Sequence, residues 1–371
     1  MNIGIAGAGI IGRLMAWQLL ERGHRVTLFD REPIDGKATC SFTAAGMLTP
    51  FSEGETAEPL VIELGQRSLQ LWPGLIDQLG SNVHFHNHGT LVVAHAQDRG
   101  DYQRFNNAVR SRMALSEEQF PLLDRSELAE LEPELADRFG HASYLPNESW
   151  LCSHCTMQAL ADRLLNGGVD WHANTDVVSV TPGRITTKGR MKDHHHVFDL
   201  AIDCRGLGAK ESLPLRGVRG ELLWIDAPDV NITRLVRLMH PRYRLYVVPR
   251  KGNLYLIGAT QIESEDYSEI SVRSSLELLS AAYSVHPGFA EGRVVKSAVH
   301  CRPALPDNLP RIERGDGLIR VNGLFRHGYL ISPALTQTVL ELIDNPANQH
   351  DGLVFPLSDT APILQPTSTE S

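Results

Sequence analysis

The sequence of 371 residues has little of several features that define common protein classes. It contains 5 cysteines and 6% aromatic residues, and it has no run of about 18 apolar residues. The missing apolar run excludes a transmembrane helix, and the first residues have no basic leader typical of a signal peptide. An odd, scattered set of cysteines in so long a chain indicates reduced thiols rather than a disulfide framework. These features predict a globular protein of the cytoplasm.

Charge and composition narrow the class further. Asp and Glu number 44 against 35 Lys and Arg, which gives a formal net charge of −9. Because a surplus of negative charge repels phosphate backbones, binding to nucleic acid is disfavoured. With 42% hydrophobic residues and no long low-complexity stretch, the chain has enough apolar side chains for the cores of two domains.

The first thirty residues carry the clearest local pattern. An apolar run at 3–6 predicts a strand, and glycines follow it at positions 7, 9 and 12. Apolar residues at helical spacing then continue to Gly23, and a second apolar run at 26–29 is followed by Asp30. A strand, a glycine turn, a helix and a strand closed by an acid form the dinucleotide-binding fingerprint in its required context.

Each residue type in this pattern has a physical reason in a nucleotide site. Gly7 permits the tight turn, Gly9 lets the main chain approach a pyrophosphate, and Gly12 lets the helix pack on the sheet. The pyrophosphate then lies on the free N–H groups at the positive end of the helix. Asp30 accepts hydrogen bonds from an adenosine ribose, and Arg31 follows it. The fingerprint does not distinguish NAD from FAD.

The rest of the chain alternates between nucleotide-type and strand-rich segments. The spacing predicts an amphipathic helix at 57–79, which Pro73 should kink or interrupt. Further helices are predicted at 156–165, 272–285 and 333–344, and strands at 84–94, 177–180, 198–203, 218–225, 243–248, 254–260 and 294–299. Residues 345–371 are polar and are predicted to form a tail.

Several short motifs occur in a fixed order along the chain. They are the opening fingerprint, Ser41 with Ala44-Ala45-Gly46-Met47-Leu48, Asp203-Cys204-Arg205-Gly206, Leu245–Arg250, Arg302-Pro303 with Pro306-Asp307 and Pro310, and Gly323–Gly328. In this order they resemble the D-amino-acid-oxidase family of FAD-dependent amine oxidases, and most of all its glycine oxidases. The resemblance covers residues 1–345.

The resemblance implies a two-domain fold of α/β plus β class. An FAD-binding Rossmann-like (GR2-type) domain would be discontinuous over 1–80, 146–214 and 306–345. An inserted antiparallel-sheet substrate domain would occupy 81–145 and 215–305, and 346–371 would form a C-terminal tail.

The resemblance also implies the cofactor and the residues around it. FAD would be held non-covalently, with the segment 44–48 near the flavin and the C-terminal glycine turn directing a helix N-terminus at the pyrimidine. The implied FAD-binding residues are Gly7, Gly9, Ile11, Gly12, Asp30, Arg31, Ser41, Ala44, Ala45, Gly46, Met47, Val178 or its neighbour Val177, Cys204, Gly206, Arg326, His327, Gly328, Tyr329 and Leu330.

Three residues correspond to the family's substrate pocket. Arg302 matches the carboxylate clamp, because its planar guanidinium holds a carboxylate through two charge-assisted bonds. Tyr246 would add a hydroxyl donor and an aromatic wall, and Arg326 is the second arginine. The implied reaction moves a hydride from the substrate Cα to flavin N5, with hydrolysis of the imine and reduction of O₂ to H₂O₂. The implied substrates are glycine, sarcosine or a small D-amino acid.

Some residues depart from the glycine-oxidase pattern. That pattern commonly has Gly-His-aromatic-Arg-Asn-Gly where this chain has Leu324 and His327 at the second and fifth positions, and Arg244 adds a charge near Tyr246. The departures keep an alternative open, in which a flavoprotein monooxygenase or maturation enzyme modifies a side chain of a partner protein, such as a tryptophan during quinone cofactor formation. A dehydrogenase that uses an acceptor other than O₂ is a third possibility.

Other signals are weaker. Cys152 and Cys155 have CxxC spacing but no second pair of metal ligands, and His84, His86 and His88 alternate without a carboxylate or cysteine partner, so no metal site is predicted. Cys301 adjoins Arg302, in a neighbourhood where some related amine oxidases attach flavin covalently, although the glycine-oxidase type does not.

Overall fold

The structure is a computed structural model that describes residues 1–80, 82–240, 245–348 and 350–357. Short 3₁₀ helices span Ala96–Asp98, Gly206–Ala209 and Pro287–Ala290. The α-helices in these residues are α1 (Ile10–Glu21), α2 (Cys40–Thr43), α3 (Pro59–Leu79), α4 (Arg99–Met113), α5 (Arg125–Leu131), α6 (Pro133–Ala136), α7 (Ser153–Asn166), α8 (Val272–Val285) and α9 (Gly328–Asp344).

The strands of the described residues vary from two to twelve residues in length. They are β1 (Asn2–Ala6), β2 (Arg25–Phe29), β3 (Met47–Leu48), β4 (Phe85–His86), β5 (Thr90–Ala94), β6 (Leu122–Asp124), β7 (His141–Leu145), β8 (Ser149–Leu151), β9 (Asp170–His172), β10 (Val177–Thr181), β11 (Arg184–Thr187), β12 (His194–Val197), β13 (Leu200–Asp203), β14 (Arg216–Asp226), β15 (Leu235–Met239), β16 (Leu245–Pro249), β17 (Leu254–Gly258), β18 (Arg293–Ala304), β19 (Arg311–Gly315), β20 (Leu318–Asn322) and β21 (Val354–Pro356).

The chain divides into two compact units, each built from separate segments. The first unit comprises 1–41, 160–218 and the chain from 302 onward, and the second comprises 42–159 and 219–301. The predicted domain boundaries at 80/81 and 145/146 differ from this division, which falls at 41/42 and 159/160. The helix α3 therefore belongs to the second unit rather than to the nucleotide-type segments. Among the described residues, no helix is both long and apolar enough to cross a bilayer.

A mostly parallel sheet forms the first unit, with the strand order β21-β19-β20-β13-β1-β2-β9. β1 pairs in parallel with β2 and with β13, so that Ala6, Phe29 and Asp203 lie side by side where the three strands end. The strands are buried, as expected for the interior of a parallel sheet. The residues that follow them meet at one edge, which is where open α/β sheets bind ligands.

A mostly antiparallel sheet forms the second unit, with the strand order β18-β14-β17-β16-β15-β5-β7-β6. Its large apolar cluster includes Leu223, Val247 and Ile257 together with Leu278 and Ala282 of α8. A small second sheet has the order β3-β8-β4. The predicted class, α/β plus a second sheet domain, is confirmed.

Local predictions failed where a proline or a partner strand decides the outcome. α9 begins at Gly328 rather than at Pro333, because that proline lies within the helix and does not start it. α3 continues through Pro73 without a break in the helix. The predicted tail is also partly wrong, since β21 pairs in parallel with β19. Residues 358–371, like Arg244, lie outside the described part of the chain.

Candidate cofactor and substrate sites

Two glycines in the first unit are required by close approaches of the main chain. Gly7 has a φ of +99°, and a Cβ there would lie 2.5 Å from the carbonyl oxygen of Cys204. A Cβ on Gly12 would lie 1.8 Å from the carbonyl oxygen of Gly7. The turn after β1 therefore fits against the end of β13 and the first turn of α1 only with glycine at both positions.

The N-terminus of α1 presents main-chain groups rather than side chains. Gly9 is the N-cap without a side-chain cap, and the first turn carries no acidic residue. The Ile10 N–H donates to Ser41 Oγ at 2.9 Å, and the Arg13 N–H donates to the Gly9 carbonyl at 3.0 Å. The amides of Ile11 and Gly12 precede that first i→i−4 bond. Such a helix end suits a pyrophosphate, because its N–H groups and dipole attract an anion.

Asp30 organises the same sheet edge through its carboxylate. One oxygen accepts the N–H of Ala8 and the other accepts the N–H of Glu32 at 2.8 Å. The predicted neighbours of the adenosine lie further out. The Arg31 side chain is 60% exposed, with Nε 4.0 Å from a Glu32 carboxylate oxygen, and Val178 is 45% exposed.

The turn before α9 is shaped by two residues with left-handed backbone. Gly323 has a φ of +78° and Phe325 a φ of +50°. The Phe325 N–H donates to the Pro303 carbonyl at 2.9 Å, and His327 is the N-cap of a helix whose first turn has no acidic residue. Burial lowers the pKa of Arg326 to about 10. This second helix N-terminus therefore also lies in a positively charged environment.

Tyr329 connects the two helix ends of the first unit. Its hydroxyl donates to the Ser41 carbonyl at 2.9 Å, while Ser41 Oγ accepts from the start of α1. Burial raises the pKa of Tyr329 and also raises that of Cys204, so both groups are neutral near pH 7. Leu330, which follows Tyr329 in the sequence, is also buried.

Gly206, a predicted cofactor residue, is bonded to Asn322, which sequence reasoning did not assign to the site. The Asn322 Nδ2 group donates to the Gly206 carbonyl at 3.0 Å, and Gly206 has a φ of +56°. The structure thus brings the glycine turn after β13 next to the end of β20, as the parallel pairing of these strands requires.

The segment predicted to lie near the flavin belongs to the second unit from Phe42 onward. Met47 and Leu48 form β3, paired with β8. Gly46 has a φ of +67°, and a Cβ there would lie 2.2 Å from the Leu151 carbonyl oxygen. The N–H of Leu151 donates to the Gly46 carbonyl at 2.9 Å. Neighbouring Ala45 accepts a hydrogen bond from Arg250. Ala44 precedes this anchored pair.

Tyr246 is buried in the second unit and its hydroxyl donates to Glu53. The guanidinium of Arg237 lies 5.9 Å from its ring centre and forms an ion pair with Glu55 at 3.1 Å. Glu53 and Glu55 precede α3, and both bonds join residues more than 180 positions apart. Sequence reasoning missed both glutamates, because nothing local marks them as partners of a distant strand.

The two residues predicted to grip the substrate fall in different units. Arg302 belongs to the first unit, whereas Tyr246 belongs to the second. Of two further arginines that sequence reasoning did not assign, Arg13 is buried and Arg250 is half-buried. Arg13 donates to the carbonyls of Ala8 and Ile34, and burial lowers its pKa to about 10. Arg250 ends the motif Leu245–Arg250, and its position directly after a buried strand is the one feature of the sequence that marks it as a candidate site residue.

The prediction of reduced cysteines is wrong for one pair. Cys152 and Cys155 form a disulfide at the start of α7, since CxxC spacing places both sulfurs on one helical turn. Cys40, Cys204 and Cys301 are free. Cys301 is buried and its thiol donates to carbonyls at 3.6 and 3.7 Å, and burial raises its pKa.

Comparison with known proteins decides the family. The profile of the FAD dependent oxidoreductase family, DAO, matches residues 2–342. The chain belongs to this family. It is 39% identical over 340 residues to a thiamine biosynthesis oxidoreductase, ThiO, of Rhizobium etli, covering 91% of this chain and 95% of that one. It is 28% identical to the glycine oxidase of Geobacillus kaustophilus, covering 96% of each.

Solved structures agree on the fold. The crystal structure of the Geobacillus kaustophilus glycine oxidase has a TM-score of 0.81 at 24% identity, covering 97% of this chain and 98% of that one. The glycine oxidase of Bacillus cereus has a TM-score of 0.82 at 21% identity, covering 94% and 98%. The predicted family, the enzyme class and FAD as cofactor are therefore confirmed. The protein is an FAD-dependent oxidoreductase of amines or amino acids.

Proposed function

We propose that this flavoprotein oxidises glycine, or an equally small amine such as sarcosine or a small D-amino acid, and that the reaction serves thiamine biosynthesis. The observation that carries the proposal is full-length similarity to one relative named for thiamine biosynthesis and to others named glycine oxidase. With glycine or a small D-amino acid the overall reaction consumes the amine, O₂ and water and releases an oxo-acid, ammonia and H₂O₂. With sarcosine, methylamine is released in place of ammonia.

The first unit would hold the cofactor through its main chain. The N-termini of α1 and α9 lack acidic residues in their first turns, so both favour negatively charged groups. Gly7 and Gly12 permit the close main-chain packing of the turn before α1, and Gly9 caps the helix without a side-chain bond, which supports a pyrophosphate at α1. FAD, when bound, supplies the acceptor for the hydride and passes the electrons to O₂.

The chain's own residues would bind and orient the substrate, and none of them would act as a general acid or base. Arg302 would bind the carboxylate through its planar fork, and Arg326 would add positive charge. Tyr246 would supply an aromatic wall, while its hydroxyl remains bonded to Glu53. None of these three groups exchanges a proton readily near pH 7, so their roles are binding and orientation.

The test is aerobic turnover of the purified holoenzyme with glycine, following H₂O₂ and ammonia together. Arg302→Ala should raise the KM for glycine about 30-fold or more, because a charge-assisted carboxylate contact is lost. Arg184→Ala removes an exposed arginine of the same unit and should change nothing. Equal KM values for the wild type and Arg302→Ala would contradict the clamp, and absence of H₂O₂ with every small amine would contradict the function.

No residue of the described chain favours the alternative in which a partner protein is the substrate. The departures at Leu324 and His327 motivated it, but both residues are buried in the turn before α9. They therefore act on the shape of that turn rather than on a surface that another protein would contact.

A further inference from the structure

In the second unit, two buried arginines and one half-buried arginine are each paired with a carboxylate, as a rule of charge compensation requires. Arg219 donates to Glu221 at 2.7 Å, and Arg237 to Glu55 at 3.1 Å. Arg234 lies 3.4 Å from Glu132, whose side chain is 1% exposed. Such pairing is expected, because an uncompensated charge away from water costs several kcal/mol.

Arg250 breaks this rule. No carboxylate in the described residues lies within ion-pair distance of its guanidinium, and its Nε is buried without an acceptor there. Burial alone lowers the pKa of Arg250 to about 9, since no acidic group is close enough to raise it. The cation is thus held in a site that lacks the anion it would be expected to have.

The surroundings of Arg250 leave part of its hydrogen-bonding capacity unused. One terminal nitrogen donates to the Pro249 carbonyl at 3.1 Å and the other to the Ala45 carbonyl. The guanidinium carbon lies 4.3 Å from the ring centre of Trp150 and 5.9 Å from that of Trp224. A guanidinium has five N–H groups, so three have no acceptor in the described residues.

The aromatic rings around Arg250 belong to the same part of the second unit as residues predicted to contact the cofactor and the substrate. Trp150 and Tyr246 belong to one apolar cluster, and partly buried Ala45, Met47 and Trp224 pack against it. Ala45 and Met47 are predicted cofactor residues, and Tyr246 is a predicted substrate residue. A planar fork between indole rings suits a planar anion, which among amine substrates is the carboxylate.

We propose that Arg250 binds the carboxylate of the amine substrate and so makes the enzyme select amines that carry one. This inference rests on the proposed function, since it assumes an amine substrate with an acidic group. It concerns an arginine of the second unit that the family resemblance did not assign to the pocket. Amines without a carboxylate would leave Arg250 uncompensated and would bind weakly.

The experiment measures binding of acetate, a carboxylate that cannot be oxidised, to the purified holoenzyme by the change in the flavin spectrum. Arg250→Gln removes the charge but keeps a donor for the Ala45 carbonyl. We expect the acetate Kd to rise about 30-fold or more, while the Kd for FAD stays within about threefold. Arg110→Gln is the matched control, because that arginine also lies over an aromatic ring, 5.8 Å from the centre of Phe120, but is exposed.

A purely structural role predicts a different result, in which Arg250→Gln retains FAD and its acetate affinity does not change, and that outcome overturns the inference. If Arg250→Gln fails to retain FAD, Arg250→Lys decides. It keeps the charge but loses the fork, and acetate binding should weaken about tenfold with FAD retained. An unchanged acetate Kd in that variant also overturns the inference.

Failure of the proposed function has its own signature. It appears when glycine and related small amines leave the wild-type flavin oxidised, whatever the acetate result. Failure of the Arg250 inference alone appears when glycine reduces the flavin normally and acetate binding is indifferent to Arg250.

Discussion

The two units create their charged sites by different means. In the first unit the positive field comes from the main chain, at the N-termini of α1 and α9, and glycines permit the close main-chain contacts that shape the turn before α1. In the second unit charge comes from side chains, with Arg219 held by nearby Glu221 and Arg237 held by Glu55, which is far away in sequence. Arg250 is the exception within that second set.

This difference predicts that the two units tolerate substitution differently. A site made of main chain depends on sterics, since an added Cβ displaces a peptide group. A site made of paired charges depends on compensation, since removing one partner leaves the other buried. The predictions below test this contrast, from the largest expected effect to the smallest.

Substitution of Gly12 should have the largest effect. Gly12→Ala places a Cβ 1.8 Å from the Gly7 carbonyl oxygen, so the turn after β1 must move, and the proposed pyrophosphate site should be lost with it. We expect the purified variant to contain almost no flavin, measured by absorbance per chain. Gly74→Ala is the control, because a Cβ at this exposed helical glycine meets nothing within 4 Å. Normal flavin content in Gly12→Ala would contradict the steric account.

Breaking a buried ion pair of the second unit should follow in size. Arg219→Met leaves Glu221 buried without its two guanidinium donors, at 2.9 and 2.7 Å. The free energy of unfolding should fall by about 3 to 5 kcal/mol, measured by urea denaturation. Arg273→Met breaks an exposed helical pair with Glu277 and should cost at most about 0.5 kcal/mol. Equal losses in the two variants would show that burial does not set the cost.

The effect of Glu148 on how the free energy of unfolding changes with pH should be intermediate in size. Burial raises the pKa of this carboxyl from 4.5 to about 7, while one of its oxygens accepts the N–H groups of Phe51 and Ser52. The folded chain therefore holds a proton that the unfolded chain releases between about pH 4.5 and 7, and stability falls as pH rises through that window.

Glu148→Gln keeps an oxygen that can accept both N–H groups but removes the titration. Its stability relative to the wild type should rise by about 2 to 3 kcal/mol between pH 5 and pH 8, measured by denaturation at both values. Glu118→Gln, at an exposed glutamate, should show no such trend. A pH-independent difference for Glu148→Gln would refute the raised pKa.

The smallest effect is expected at Arg31. Its side chain is 60% exposed and only 4.0 Å from Glu32, so Arg31→Ala should change the Kd for FAD less than about threefold. Flavin binding is measured by fluorescence titration of the apoprotein. A loss of tenfold or more would assign to this side chain a cofactor contact of the kind predicted from the sequence.

The glycine turn and the acid of the first unit could be predicted because they lie within one short stretch of the sequence. The spacing of Gly7, Gly9, Gly12 and Asp30 follows from the strand–turn–helix–strand geometry itself. The contact of Tyr329 with Ser41 spans 288 positions, and only the family resemblance suggested that both lie near the cofactor.

The second unit could not be predicted to the same depth. Some of its strands were found from their apolar patterns, but β3, β6, β7, β8 and β15 were not predicted. The partners of Tyr246 and Arg250 depend on long-range packing. The bond from Arg250 to Ala45 joins residues 205 positions apart. The disulfide was missed because its CxxC signal was weighed as a metal or redox motif and set aside.

The most direct test of the central claim is an anaerobic titration of the holoenzyme with glycine, sarcosine and D-alanine, following the flavin absorbance near ~450 nm. The account predicts that at least one of them bleaches the band, and that the absorbance of the oxidised flavin returns when air is admitted. A band that stays oxidised with saturating amounts of all three would contradict the proposal that this flavoprotein oxidises small amines.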